Sequence, residues 1–114
     1  MSAITTHILD TSQGHPAEGV PVHLDMQKED GGWRELSSGV TDQDGRLRDL
    51  LPDDFDLQPG IYRLVFDTAA YFDRKGLRSF YPHVAVTFLV HDADEHYHVP
   101  LLLNPFGYST YRGS

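Results

Sequence analysis

Apolar and polar residues alternate along parts of this chain with the period of a β-strand. In the segment Val20–Lys28, every second position from Val20 to Met26 is apolar, and residues two apart point to the same face of a strand. This pattern predicts a strand buried on one side. Other runs of β-branched and apolar residues predict further strands at Ile4–Asp10, Ile61–Asp67, Val84–Val90, His96–Leu103 and Tyr108–Tyr111.

Turn-forming residues separate these segments. Asp44-Gly45, within TDQDGR, favours a turn with positive φ at the glycine. A Pro-Gly pair precedes Ile61, and NPFG would join the last two strands as a hairpin. The one segment with helical character, Ala69–Lys75, is about two turns long. Strands with turn signals between them predict an all-β sandwich, formed by a single domain over residues 1–114.

Charge and composition exclude several kinds of partner and site. A net charge of −8 gives no general attraction for nucleic acid or for an anionic membrane. The absence of cysteine excludes disulfides, thiol nucleophiles and cysteine-ligated metals. The sequence contains neither a secretory leader nor an apolar run of about 20 residues, so we expect a cytoplasmic protein. The acidic segment Pro52–Asp56 is interpreted as a solvated loop.

Two histidines near the end of the sequence are the first candidates for chemistry. His96 and His98 point to the same face of a strand. From these residues alone, three interpretations stay open: a pair of metal ligands, acid–base catalysis near neutral pH, or structural histidines. His7, Arg46 and Arg112 favour a functional site, because an arginine in a cleft usually binds a planar or anionic group.

The remaining histidines and motifs give little indication of a functional site. His15, His23, His83 and His91 lie in loops, on a polar strand face or near strand ends, and are interpreted as surface or structural residues. The sequence has no Gly-x-Ser-x-Gly motif and no glycine-rich phosphate loop. Nucleophilic catalysis and nucleotide binding therefore have no support.

Several motifs together resemble the transthyretin-related proteins. These are HILD, TDQDGR and HYHVPLLLNPFGYSTYRGS, and the resemblance also runs through GIYRLVFDT, AYF and FYPHVAVTF. The second histidine of HYH and the closing YRGS are typical of the enzymatic branch of the family, the 5-hydroxyisourate hydrolases, and the hormone-carrying branch lacks them. Asn104, where a serine is usual, and Tyr81-Pro82-His83, in place of Phe-Pro-Glu, depart from the pattern outside the catalytic motifs.

The resemblance implies a transthyretin-like sandwich of two four-stranded sheets with one short helix. It also implies a homotetramer with open channels at the dimer–dimer interface. The catalytic residues it implies are His7, Arg46, His98 and Ser114, and the substrate-binding residues are His7, Arg46, Tyr111, Arg112 and Gly113. By the same resemblance, His96 is not one of the central histidine pair.

The implied reaction is hydrolysis of 5-hydroxyisourate to 2-oxo-4-hydroxy-4-carboxy-5-ureidoimidazoline in urate degradation, without metal or cofactor. We expect His98 to activate water and His7 to orient that water or share the proton. Arg46 and Arg112 would bind the oxygens of the substrate, and their charge would disfavour imidazolium.

Three alternatives to this metal-free hydrolase remain at the level of sequence. The first is a zinc hydrolase with His96, His98 and a third histidine as ligands. The second is a transthyretin-like carrier of a small ligand, which would need an apolar channel in place of histidine and arginine. The third is an adhesion sandwich of the immunoglobulin class, which gives no reason for the terminal motif.

Overall fold

Two β-sheets and one short helix account for the regular structure of the computed structural model, which describes residues 2–114. The elements in chain order are β1 (Ile4–Asp10), β2 (His15–Pro16), β3 (Pro21–Gln27), β4 (Trp33–Val40), β5 (Arg46–Leu47), β6 (Gly60–Phe66), α1 (Thr68–Arg74), β7 (Val84–Val90), β8 (Tyr97–Asn104) and β9 (Gly107–Thr110). One sheet has the strand order β2-β1-β8-β9, with β5 also paired to β1. The other sheet has the order β4-β3-β6-β7.

The pairing of β1 with β8 is parallel, whereas the other strand pairs are antiparallel. In this register Thr5 lies opposite His98 and His7 lies opposite Pro100. The first and last long strands of the chain are therefore neighbours. The predicted all-β architecture with one helix is confirmed, although the short β5 gives the first sheet five strands instead of the expected four.

The inward-facing residues of both sheets form a hydrophobic core. Alternate residues of β1, among them Ile4 and Ile8, are fully buried, and so are Leu64 and Phe66 of β6. The helix packs on this core through Tyr71 and Phe72. Tyr71 also donates a hydrogen bond of 2.7 Å to the buried carboxylate of Asp10, which ties the helix to the end of β1.

Most predicted strands agree with the structure to within one residue at each end, but β4 was missed. The sequence WRELSSGV has few apolar residues, and its positions are exposed or half-buried. As an edge strand, β4 pairs only with β3 and has a register shift at Leu24/Asp25. Its partly polar sequence is typical of a sheet edge and carries little periodic signal.

The acidic segment lies between β5 and β6, and Pro52, Asp53 and Asp54 in it are exposed. This agrees with the predicted solvated loop. Within residues 2–114, no helix has the length and apolar character needed to cross a membrane.

Candidate active site

The outward face of the first sheet brings the predicted catalytic residues together. Ile4, Thr6 and Ile8 of β1 point into the core, so the alternate positions Thr5 and His7 point outward. Because Thr5 is the register partner of His98, that histidine joins the same face. Arg46 of β5 lies directly opposite His7 on the other side of β1.

A tight turn holds Arg46 beside β1. The carboxylate of Asp42 accepts hydrogen bonds from the backbone N–H of Asp44 at 2.9 Å and of Arg46 at 3.0 Å. Gly45 has a φ of +73°, and a Cβ at this position would collide with the backbone carbonyl oxygen of Ile8. Only glycine allows this close approach. The predicted Asp44-Gly45 turn is therefore the element that places Arg46 opposite His7.

A cavity of about 180 Å³ opens on this face. Two histidines, two arginines and the last residue of the sequence contribute to its wall. The lining residues are Thr5, Thr6, Arg46, Arg48, His96, His98 and Ser114. Three of the four predicted catalytic residues thus share one cavity, and the fourth, His7, is the strand partner of Arg46.

The threonine at the base of this cavity contacts both histidines of the HYH motif. Thr5 Oγ1 lies 2.8 Å from His98 Nδ1 and 3.1 Å from His96 Nε2. Thr5 is only 3% exposed. These hydrogen bonds fix the orientation of both imidazole rings, which lie nearly parallel with an interplanar angle of 15°.

The end of the sequence folds back over His98. The backbone N–H of Gly113 donates to the His98 carbonyl oxygen at 2.8 Å, and the two residues form an isolated β-bridge. This bridge brings Ser114 to the cavity wall. Of the two predicted site residues, Ser114 lines the cavity, whereas Gly113 borders His98 without lining it.

Both central histidines have lowered pKa values. For His98, burial is the main cause of the lowered pKa, followed by the positive charge of Arg46 and then by the neighbouring imidazoles. Burial also lowers the pKa of His7, followed by Arg46, while a hydrogen bond to the backbone of Asp44 opposes the shift. Because both shifts favour neutral imidazole, the two rings can accept a proton near pH 7.

Tyr111 and Arg112 lie away from this cavity. The guanidinium of Arg112 stacks over the ring of Tyr97, 4.6 Å from its centroid, and its Nη2 donates to the His96 carbonyl oxygen at 3.3 Å. Together with Tyr111, these side chains border a separate groove of about 280 Å³ beside β7. The arginines that help to lower the histidine pKa values are Arg46 and, for His7, also Arg48, and Arg112 is not among them.

The structure describes one group of potential metal ligands elsewhere, on the second sheet. Among residues 2–114, the ligand atoms of His23, Asp25 and Glu35 lie within 4.8 Å of one another. However, Asp25 is already paired with Arg63, whose Nε lies 2.7 Å from its Oδ2. His96 and His98 do not belong to this group, and their facing nitrogens share the Thr5 hydroxyl.

Sequence reasoning missed three residues of the cavity, Thr5, Thr6 and Arg48. Thr5 is two positions before His7 and shares its strand face. Arg48 is two positions after Arg46 and continues the same side of the chain beyond β5. The period-two rule was the available signal. Among the candidate site residues, it was applied to His96 and His98 only.

Comparison with known proteins identifies the family. The model of the HIUase/Transthyretin family matches residues 4–113. This chain belongs to that family. A protein of Salmonella typhimurium named 5-hydroxyisourate hydrolase is 51% identical over 111 residues, which cover 97% of this chain and 80% of that protein. The mouse protein of the same name is 44% identical over 114 residues, covering 99% of this chain and 96% of the relative.

Solved structures of both branches share the fold. Sea bream transthyretin, in a structure with thyroxine, is 34% identical with a TM-score of 0.92, covering 98% of this chain and 95% of that chain. The 5-hydroxyisourate hydrolase of Klebsiella pneumoniae is 39% identical with a TM-score of 0.82, covering 97% of this chain and 98% of that chain. The predicted transthyretin-like fold is confirmed. Because the fold is common to carrier and enzyme, the side chains of the cavity must distinguish them.

Proposed function

We propose that this protein hydrolyses 5-hydroxyisourate to 2-oxo-4-hydroxy-4-carboxy-5-ureidoimidazoline. One observation carries the proposal: His98, with its lowered pKa, shares a small cavity with Arg46 and Ser114. A neutral imidazole beside a fixed positive charge is suited to water attack on a carbonyl group. The names of the relatives that cover nearly the whole chain support the same reaction.

In this proposal His98 acts as the general base. Water attacks a carbonyl carbon of the six-membered ring while His98 takes one of its protons. The C–N bond of the ring then breaks, and the imidazolium returns the proton to the leaving nitrogen. Such proton transfer typically contributes about 10²- to 10⁴-fold to the rate. His7 orients the water or shares the proton, a role supported by its influence on the pKa of His98.

Arg46 stabilises the oxyanion that develops as water attacks. The Asp42 turn fixes the backbone of Arg46 beside β1, and removal of one oxyanion donor typically costs about 10²- to 10³-fold. Gly113 packs against His98, and Ser114 hydrogen-bonds the substrate from the cavity wall. For Arg112 and Tyr111 to bind substrate in the same cavity, Arg112 must leave the ring of Tyr97. The scheme uses no metal and no cofactor.

The alternative function is that of a small-ligand carrier. Sea bream transthyretin, which has the same fold, was solved in complex with thyroxine. In this chain, histidine and arginine side chains line the cavity, and they do not suit an apolar ligand. The carrier function is therefore the less supported of the two.

We also propose that the chain forms a single transthyretin-like domain and assembles as a cytoplasmic homotetramer. The strands β7 and β9 are sheet edges, which association would cover. Large apolar side chains are exposed near these edges, namely Phe80, Leu89, Phe106, Tyr108 and Tyr111. Sedimentation velocity tests the tetramer, and a monomer at micromolar concentration would contradict it.

The experiment that tests the function is the decay of 5-hydroxyisourate, generated in place from urate and followed by ultraviolet absorbance. Wild type and His98→Ala are compared, each with and without a chelator. We expect fast decay that His98→Ala abolishes and the chelator leaves unchanged. Wild-type decay no faster than the spontaneous reaction would exclude the enzyme, and sensitivity to the chelator would favour the zinc alternative.

A further inference from the structure

The Thr5 hydroxyl lies between two imidazoles and can donate only one hydrogen. Its oxygen is within hydrogen-bond distance of His98 Nδ1 and of His96 Nε2. A hydroxyl has one donor hydrogen and two acceptor lone pairs, and a neutral imidazole has one N–H and one bare nitrogen. If Thr5 donates to one ring, it must accept from the other. The tautomers of the two histidines are therefore coupled through this hydroxyl.

Two proton arrangements satisfy both hydrogen bonds and place the Thr5 hydrogen in one of them. In the first, Thr5 donates to His96 Nε2 and accepts from an N–H at His98 Nδ1, which leaves His98 Nε2 bare. In the second, Thr5 donates to His98 Nδ1, and the hydrogen of His98 is on Nε2. Only the first arrangement leaves a lone pair on His98 for water, because Nδ1 is occupied by Thr5 in both.

The electrostatics of the cavity favour the first arrangement. Arg46 and Arg48 line the same cavity as His98. A positive charge attracts a nitrogen lone pair and repels the positive end of an N–H bond. The guanidinium of Arg46 therefore favours a bare Nε2 on His98 over an Nε2–H.

We propose that Thr5, with His96 as its acceptor, is a positioning residue that holds His98 in the Nδ1–H tautomer and so leaves Nε2 as the base. The inference rests on the proposed hydrolase function and extends it to residues outside the predicted catalytic set. Neither Thr5 nor His96 touches the reacting atoms in this scheme. His96 acts through Thr5, and Thr5 acts through His98.

The arrangement also serves the proton transfer itself. When His98 takes a proton from water, the new hydrogen is placed on Nε2, and Nδ1–H still donates to Thr5. The Thr5–His96 hydrogen bond is unchanged, so no group in the chain must reorient during the step. Such preorganisation avoids the cost of rearrangement at the moment of reaction.

Nitrogen NMR of the histidine rings tests the tautomer without any substrate. In wild type at a pH where the rings are neutral, we expect the hydrogen of His98 on Nδ1. In Thr5→Val, which keeps the shape and removes the hydroxyl, we expect a mixture of tautomers, and Thr5→Ser should restore the wild-type spectrum. Thr11→Val is the matched control, because Thr11 Oγ1 donates to the Leu103 carbonyl oxygen at 3.1 Å and does not line the cavity, and it should leave the His98 signals unchanged. A wild-type His98 with its hydrogen on Nε2 would overturn the proposal.

Kinetics supply the second readout. Thr5→Val should lower kcat by roughly 10- to 10²-fold, less than the usual full contribution of a general base because His98 itself is retained, with little change in KM. Thr5→Ser should restore most of kcat. Wild-type kcat in Thr5→Val would contradict the proposal. If Thr5→Val fails to fold, the position of the His98 hydrogen in wild type still tests the proposal. An Nε2–H tautomer in an active wild type would refute the role of Thr5 alone, whereas an inactive wild type would refute the function.

Discussion

Gly113 packs directly against the imidazole of His98. A Cβ built on Gly113 would lie 2.6 Å from His98 Cδ2 and 3.2 Å from Pro100 Cγ. The backbone of the terminal segment therefore closes one side of the ring, while Thr5 holds its Nδ1 on another. The close contact with His98 explains why position 113 is a glycine. The φ of Gly113 is not positive, so the position requires the absence of a side chain and not the conformational freedom of glycine.

We expect Gly113→Ala to reduce activity because the added methyl must displace His98 or the terminal segment. The expected loss in kcat is about 10-fold or more, since small misplacements of catalytic groups have large effects on rate. Gly107→Ala is the control: a Cβ at Gly107 meets only Asn104 side-chain atoms, at 3.7 Å or beyond. Steady-state kinetics of both variants give the comparison. Equal activities would show that the contact with His98 is unimportant.

The charges of the two cavity arginines should affect the two central histidines differently. Arg46 lowers the pKa of both His7 and His98, whereas Arg48 acts on His7 and is not among the causes for His98. Arg46→Gln should therefore raise both histidine pKa values, and Arg48→Gln should raise that of His7 alone. NMR titration of the ring protons measures each shift. An unchanged His98 pKa in Arg46→Gln would contradict this electrostatic account.

The lowered histidine pKa values also set the pH dependence of activity. A base must be neutral, so kcat/KM should be constant near pH 7 and should fall as the pH drops through the histidine pKa values. Since burial and Arg46 lower these pKa values, the midpoint of the acid limb should lie below the ordinary value of about 6.5. A midpoint above that value would be inconsistent with a base in this cavity. His7→Ala and His98→Ala with equal losses would indicate a coupled pair.

Arg46 and Arg112 can be distinguished by kinetics. Arg46 lines the cavity and Arg112 stacks on Tyr97. Arg46→Ala should therefore lower kcat by about 10²- to 10³-fold, the usual cost of a lost oxyanion donor. Arg112→Ala should have a smaller effect on kcat and should act mainly on KM. Equal losses of kcat would mean that Arg112 leaves Tyr97 and enters the cavity during catalysis.

Stability should depend on the Tyr71–Asp10 hydrogen bond. Burial disfavours the ionised Asp10, but hydrogen bonds from Ser12 and Tyr71 outweigh it and lower the pKa of Asp10. Tyr71→Phe leaves a buried carboxylate oxygen unpaired and should lower the free energy of unfolding by about 1.5–3 kcal/mol. Tyr62→Phe loses a hydrogen bond to the neutral Gln58 carbonyl oxygen. It should lower the free energy of unfolding by less, about 0.5–1.5 kcal/mol.

Urea denaturation at two pH values checks this prediction. A carboxyl group with a lowered pKa stabilises the fold above its unfolded-state pKa, and this contribution is lost as the pH falls through its folded-state value. The difference between wild type and Tyr71→Phe should therefore narrow in acid. A difference that does not depend on pH would indicate that packing, not the charge of Asp10, causes the loss.

The strands and the histidine face could be predicted because they depend on local periodicity. Val84–Val90 and Ile4–Asp10 are bounded in the structure as the sequence indicates. By contrast, β4 has a mainly polar sequence at a sheet edge, and the two-residue β5 exists only through its pairing with β1. Such pairings depend on distant parts of the chain and leave no periodic pattern.

The residues of the candidate site were also predicted only in part, because some of them depend on distant parts of the chain. The resemblance indicated His7, Arg46 and His98, and the turn at Gly45 explains how Arg46 reaches β1. The stacking of Arg112 on Tyr97 could not be foreseen, because it depends on the path of the terminal segment beside Glu95. Thr5 was overlooked although strand alternation places it beside His7, since a threonine in a strand is ordinary by composition.

The parallel pairing of β1 with β8 makes the site depend on two distant parts of the chain. Thr5 and His98 are 93 positions apart in the chain, and the strands that carry them become neighbours only when β8 is available. During translation, the outward-facing His7 of β1 therefore lacks its partner strand until β8 has been synthesised. Contacts so distant in sequence slow folding. The time at which hydrolase activity appears would therefore measure when β8 pairs with β1.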